Sequence, residues 1–313
     1  MEAPHSLQIV KKIKRETRDH VTFWALIAMS FMWSMSTLMV FSFLPSFVTQ
    51  HLGASHLQLG MAEGIAIGGS FLIKVLAGIS SDFTLRRKPF IVIGTIFGTL
   101  SKSLFIFASS LSVVFAARLL DRLSKGLRSA PADALLADIS YRKHLGFTYG
   151  FRQSVYTFGA VVGALTSMLI MYLYEDNYVL LFSLAVFPSL CATLIGIIYL
   201  PSVSTKDKMH PQDINKSMWF SKSCITSLPR PFWGLLTVVF FLMLARFSEA
   251  FLTLRAQELG CSLVMLPMII VVMDIVHVGV VFPTGKLADK YSSNLILMIG
   301  LIWFALSHLV VHL

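Results

Sequence analysis

Charge is what this sequence has least of. Only 13% of its 313 residues are Asp, Glu, Lys or Arg, 56% are hydrophobic, and the mean hydropathy is +0.74. A soluble domain of this length needs far more polar surface, so a water-soluble globule is excluded. Strand-like alternation is missing as well. Apolar stretches run unbroken for about twenty residues, whereas the strands of a membrane barrel alternate between faces over about ten. The three cysteines, Cys191, Cys224 and Cys261, have neither a paired spacing nor histidines at ligand intervals. They read as free thiols, which leaves no disulfide framework, metal site or cofactor to expect. Asp-x-Asp, His-Glu-x-x-His and Gly-x-Ser-x-Gly are also absent, and no loop exceeds about thirty residues, so an embedded enzyme is not expected.

What is there is a series of membrane-length apolar runs, which makes the fold class all-α and polytopic. Spans lie near Val21–Val48, Gln58–Ser81, Pro89–Ser109, Leu111–Ala137, Gly146–Tyr174 and Tyr178–Leu200. Three more lie near Phe232–Leu254, Ser262–Gly285 and Asn294–Leu313, making about nine. The fourth is the least apolar. The polar, basic segment 1–20 reads as a tail, because the run after it is too long for a signal-peptide core and has no cleavage site.

The net charge of +10 is explained by where the basic residues fall. Lys11, Lys12, Lys14, Arg15 and Arg18 precede the first span. Arg86, Arg87 and Lys88, then Arg142 and Lys143, then Lys206 through Arg230, then Lys286 and Lys290, occupy alternate connections. The opposite connections hold only Arg255, beside Glu175, Asp176 and Glu258. By the positive-inside rule the amino terminus is expected in the cytoplasm of a cytoplasmic (inner) membrane protein, with a lipid bilayer and no nucleic acid as partner.

The chain also repeats itself. Gln50-His-Leu52-Gly53-Ala-Ser55 closes the first span and Gln257-Glu-Leu259-Gly260-Cys-Ser262 closes the seventh, 207 residues later. Gly78-Ile-Ser-Ser-Asp82 and Gly285-Lys-Leu-Ala-Asp289 end the second and eighth spans at the same offset. An even number of helices per period returns the chain to the same face, so the copies are parallel. The expected organisation is a six-helix bundle over 21–200, a cytoplasmic linker over 201–231, and a three-helix portion of a second bundle over 232–313. On this pattern the second copy stops three helices short of an expected twelve.

These residues resemble the major facilitator superfamily (MFS), whose members carry two parallel six-helix bundles. The family's loop signature between helices two and three is matched by Gly78, Asp82, Arg86 and Arg87, while Phe83 and Leu85 depart from it. In the second copy Gly285, Asp289 and Lys290 are kept and the arginine pair is lost. Arg122-Leu-Ser-Lys-Gly126 matches the helix-four pattern, and the string Asp121 to Pro131 looks like one bacterial branch. Gly159 and Gly163 meet only part of the antiporter pattern on helix five. The resemblance implies that helices one, four, seven and ten line a solute path and that the Asp82 and Asp289 loops serve gating.

Candidate site residues follow from intramembrane charge, which is costly and marks functional positions. At 100° per residue Arg118, Asp121, Arg122, Lys125 and Arg128 form one stripe on span four. Four cations against one carboxylate favour an anionic small-molecule solute. The alternative is structural: Lys125 and Arg128 snorkel to the interface, and Arg118 or Arg122 pairs with Asp121, Asp82 or Asp133. Arg246 and Glu249 on span seven, and Asp274 and His277 on span eight, are i, i+3 pairs. Asp121, Glu249 and Asp274 are the candidates for proton coupling, and Glu63, Lys74, Lys102 and Arg152 are further intramembrane charges. Secondary transport is the expected activity. The alternative is a truncated or split transporter without activity, completed only if a second polypeptide supplies the missing helices.

Overall fold

A computed structural model describes residues 5–84, 86–174, 177–202, 229–245 and 249–312. Only the backbone is described for residues 5–15, 242–245, 249–251 and 307–312 among others. Within those residues the protein is helical with no strand. The helices are α1 (His5–Phe41), α2 (His56–Thr84), α3 (Lys88–Ile106), α4 (Leu111–Ile139), α5 (Leu145–Leu173) and α6 (Tyr178–Tyr199). α7 (Arg230–Ala245), α8 (Glu249–Glu258), α9 (Leu266–Lys290) and α10 (Ser293–His312) follow. Residues 203–228, which hold Lys206 through Lys222 and Cys224, lie outside the described part; Cys191 and Cys261 are free thiols.

Six of these helices are long and apolar enough to cross a bilayer: α1 to α3, α5, α6 and α9. Pro231–Phe241 and Asn294–Phe304 are shorter apolar segments within α7 and α10. α4 has the same 29 residues as α2 and α5 yet falls below their hydropathy, because it carries the charged stripe. The protein is a multi-pass membrane protein. The expected seventh span is carried by α7 and α8, with 246–248 between them outside the described residues.

Two helix endings share a backbone feature. After α1 a turn of helix (Leu44–Ser46) and a wide-turned π segment (Phe47–His51) lead to Gly53, whose φ is +63°, and α8 leads to Gly260 at +89°. Left-handed φ favours glycine because any side chain would meet the following carbonyl, and it lets a helix end by folding its last N–H groups back. The Cys261 N–H duly donates to the Ala256 carbonyl at 3.0 Å.

α1 packs on α5 and α6, α4 packs between α2 and α3, and α3 and α6 close the group; α9 lies along α5. One apolar core joins Val40, Phe43, Leu44, Phe105, Leu181 and Phe182 at one end, and another joins Leu26, Met29, Ile91 and Leu136 at the other. Gly159 and Gly163 sit against the carbonyls of Phe31 and Met35, so α5 approaches the α1 backbone where a Cβ would not fit. Close packing is thus the role of that pair. On α2, Gly69 meets Leu123 of α4, its Cβ position lying 3.3 Å from that side chain, whereas nothing lies within 4 Å of the Cβ positions of Gly64 and Gly68. They share α2 with the exposed side chains of Leu57, Met61, Ile65, Phe71 and Leu72, an apolar surface suited to lipid.

Candidate functional site

The α4 stripe divides among three neighbours, because a helix wedged between two others presents different flanks to each. Gly126 permits the wedge, its Cβ position lying 2.5 Å from the Ser70 carbonyl oxygen of α2. Toward α2, Glu63 Oε1 accepts from Arg118 Nε at 2.5 Å and from Arg118 Nη2, and Glu63 Oε2 accepts from Arg122 Nη2 at 3.4 Å. Toward α3, Lys102 Nζ donates to Asp121 Oδ1 at 2.6 Å, with the two side chains 0% and 4% exposed. Toward α1, the Arg118 guanidinium lies 3.8 Å from the Phe41 ring centre and Lys102 Nζ lies 4.3 Å from it. Arg128 lies 3.9 Å from the Trp33 ring centre.

This corrects the pairing expected from sequence. Arg118 and Arg122 bond Glu63, not Asp121, Asp82 or Asp133, and Asp121 bonds Lys102. Asp133 is taken by Arg152, which also donates from Nε to Ser30 Oγ at 3.1 Å. Glu63 and Lys102 stand out in the sequence as intramembrane charges, but helical periodicity gives only their angle on their own helix. Which neighbour meets that angle is decided by packing. Lys125 takes none of these partners and is exposed, and Arg122 is half-buried with its Nε unbonded. Tyr156 of α5 lies within electrostatic reach of Lys125 and Arg128.

The loop residues separate in the same way. Asp82 pairs with Arg87 of its own connection at 3.4 Å, and Arg87 reaches Asp138 at the end of α4 at 2.5 Å; Arg86 is exposed. Asp289 lies at a helix N-terminus, its oxygens accepting from the backbone N–H groups of Gly146 and Phe147, each at 2.7 Å. A carboxylate there meets unsatisfied donors and the positive end of the α5 dipole. Gly285, one turn before Asp289, packs against Gly146 and Gly150, while Gly78 packs on Ala130 of α4. Asp274 is half-buried on α9 and His277 is exposed. Arg246 and the side chain of Glu249 lie outside the described residues.

The helical bundle thus holds a buried web of paired charge, with Lys125 of the same helix exposed beside it. The family comparisons agree with that architecture. The Major Facilitator Superfamily model matches residues 15–312, and the chain belongs to this family of transporters. It is 30% identical over 288 residues to an uncharacterized MFS-type transporter of Methanocaldococcus jannaschii, covering 88% of this chain and 68% of that one. Among solved structures it superposes on the MFS transporter FucP in its outward conformation with a TM-score of 0.68 at 18% identity, covering 88% of this chain and 73% of that one. A D-xylose-proton symporter superposes with a TM-score of 0.63 at 15% identity, covering 87% and 69%. At these identities the structures speak for the fold alone.

Proposed function

We propose that the protein is a secondary transporter that moves a small anionic solute across the cytoplasmic membrane by alternating access. The observation that carries this reading is the surplus of cations along α4. Glu63 is shared by Arg118 and Arg122 and Asp121 is taken by Lys102, so the exposed Lys125 is left for a ligand. In a poorly screened cavity that surplus attracts an anion. Arg118 positions Arg122 through the carboxylate they share. Asp121, Glu249 and Asp274 are assigned to coupling, with a proton as the coupled ion.

The basic residues on alternate connections support an amino terminus in the cytoplasm. The 207-residue offset supports two like-oriented bundles, 21–200 and the one begun by 232–313, joined by the linker 201–231. Asp289 on the first turn of α5 then acts as a latch, holding α9 to α5 on the basic side while the other side is open.

The test is a thermal-shift screen of purified protein against organic acids, sugars and amines, followed by counterflow in proteoliposomes for whatever stabilises it. Stabilisation by carboxylates or phosphates that disappears in Arg122→Ala, with membrane insertion intact, is the expected result. Stabilisation and counterflow confined to neutral or cationic solutes overturns the anion assignment.

A further inference from the structure

Arg118 and Arg128 stand ten residues apart on α4, and the contrast between them points to a second binding site. The guanidinium Nε–H and Nη2–H bonds run parallel and form a side-on fork that fits one carboxylate edge or one small anion. In Arg118 that fork is filled, Nε and Nη2 both meeting Glu63 Oε1. In Arg128 both Nε and Nη2 are buried and neither has a hydrogen-bond partner. The carboxylates nearest to it are committed elsewhere, Asp121 to Lys102 and Asp133 to Arg152. A guanidinium cannot relieve its burial by losing a proton, so an unneutralised fork is costly.

Arg128 also lines a cavity between α1, α3, α4 and α5, together with Arg152, Ser30, Thr95 and the Trp33 ring on which it stacks. Two arginines therefore face a space with no carboxylate among its lining residues. At about 20 Å³ the cavity holds a body the size of a water or a halide ion and excludes an organic solute. Trp33, 2% exposed, forms part of its wall, and the exposed Lys125 is not among its lining residues.

We infer that the Arg128 fork is a structural site for a small monovalent anion of chloride size, separate from the transported solute. Bound there, the anion neutralises Arg128 and fastens α4 to α1 through the stacked Trp33. The inference does not depend on the transport reading, and its test involves no gradient or transported solute.

The experiment is thermal unfolding of the purified full chain in detergent at constant ionic strength, sodium chloride replacing sodium gluconate stepwise. The expected result is a saturable rise of about 3 °C at ten times the half-saturating chloride concentration. Arg128→Gln abolishes the rise, and Lys74→Gln, which removes an exposed lysine on α2, leaves it unchanged. Arg128→Lys, which keeps the charge and loses the fork, raises the half-saturating concentration about tenfold or more. Identical unfolding in chloride and gluconate overturns the inference, as does a chloride response that survives in Arg128→Gln. Should Arg128→Gln fail to fold, Arg128→Lys decides: a wild-type half-saturation there overturns the site.

Discussion

Replacing Lys102 by methionine tests the charge web at its most buried point. The lysine and Asp121 are 0% and 4% exposed and meet at 2.6 Å. Lys102→Met keeps most of the volume and removes the ammonium, which leaves the Asp121 carboxylate in the bundle without its closest counter-charge. Breaking one side of a buried pair costs about 3–5 kcal/mol, because the desolvation already paid for the surviving charge is no longer offset. At about 2 °C per kcal/mol for a chain of this size, the apparent Tm should fall by about 6–10 °C. The double variant Lys102→Met/Asp121→Leu removes both charges and should recover to within about 2 kcal/mol of the parent. Detergent-solubilised protein followed by tryptophan fluorescence supplies all four corners of the cycle. A Tm for Lys102→Met within about 2 °C of the parent, or a double variant no more stable than the single, would refute the reasoning.

Four further outcomes are expected. Lys125→Gln, at the exposed cation of α4, should weaken binding of any anionic solute found by the screen about fivefold or more with little loss of stability, read by titration of the same thermal shift. Asp289→Asn removes the charge from the start of α5, an effect of about 1 kcal/mol at an exposed helix end, and should shift the two access states about fivefold toward the one open on the basic side. Cysteine accessibility at Phe282 and Phe151, which sit near that latch, measures the shift; equal labelling in both proteins would count against the latch. Gly163→Val should cost about 3 kcal/mol or prevent folding, since its side chain would meet the Met35 backbone, whereas Gly64→Val, facing open space, should be near neutral in an expression and Tm comparison. Gly53→Ala should destabilise by about 1–2 kcal/mol, the cost of holding a side chain at positive φ, and Gly53→Asn by less.

The sequence by itself determined the solvent and the helices. Apolar runs of membrane length mark the helices because in lipid each span must satisfy its own backbone hydrogen bonds. The matched Gly53 and Gly260 both take a left-handed φ after a helix, since that conformation is a local property of glycine. The charged stripe of α4 is legible for the same reason: residue angle follows from helical pitch alone. Its partners are not. Glu63, Lys102 and Ser30 lie 55, 19 and 122 residues from the groups they bond, and only the packing of α2, α3 and α1 around α4 and α5 brings them there. Tertiary structure likewise gave the helix-capping role to Asp289, leaving Asp82 to its own loop, and separated Arg128 from Lys125 on one helix face. A sequence fixes the direction in which each helix points a side chain, while the group it meets is set by the neighbour that fits against that flank, a property of several helices at once.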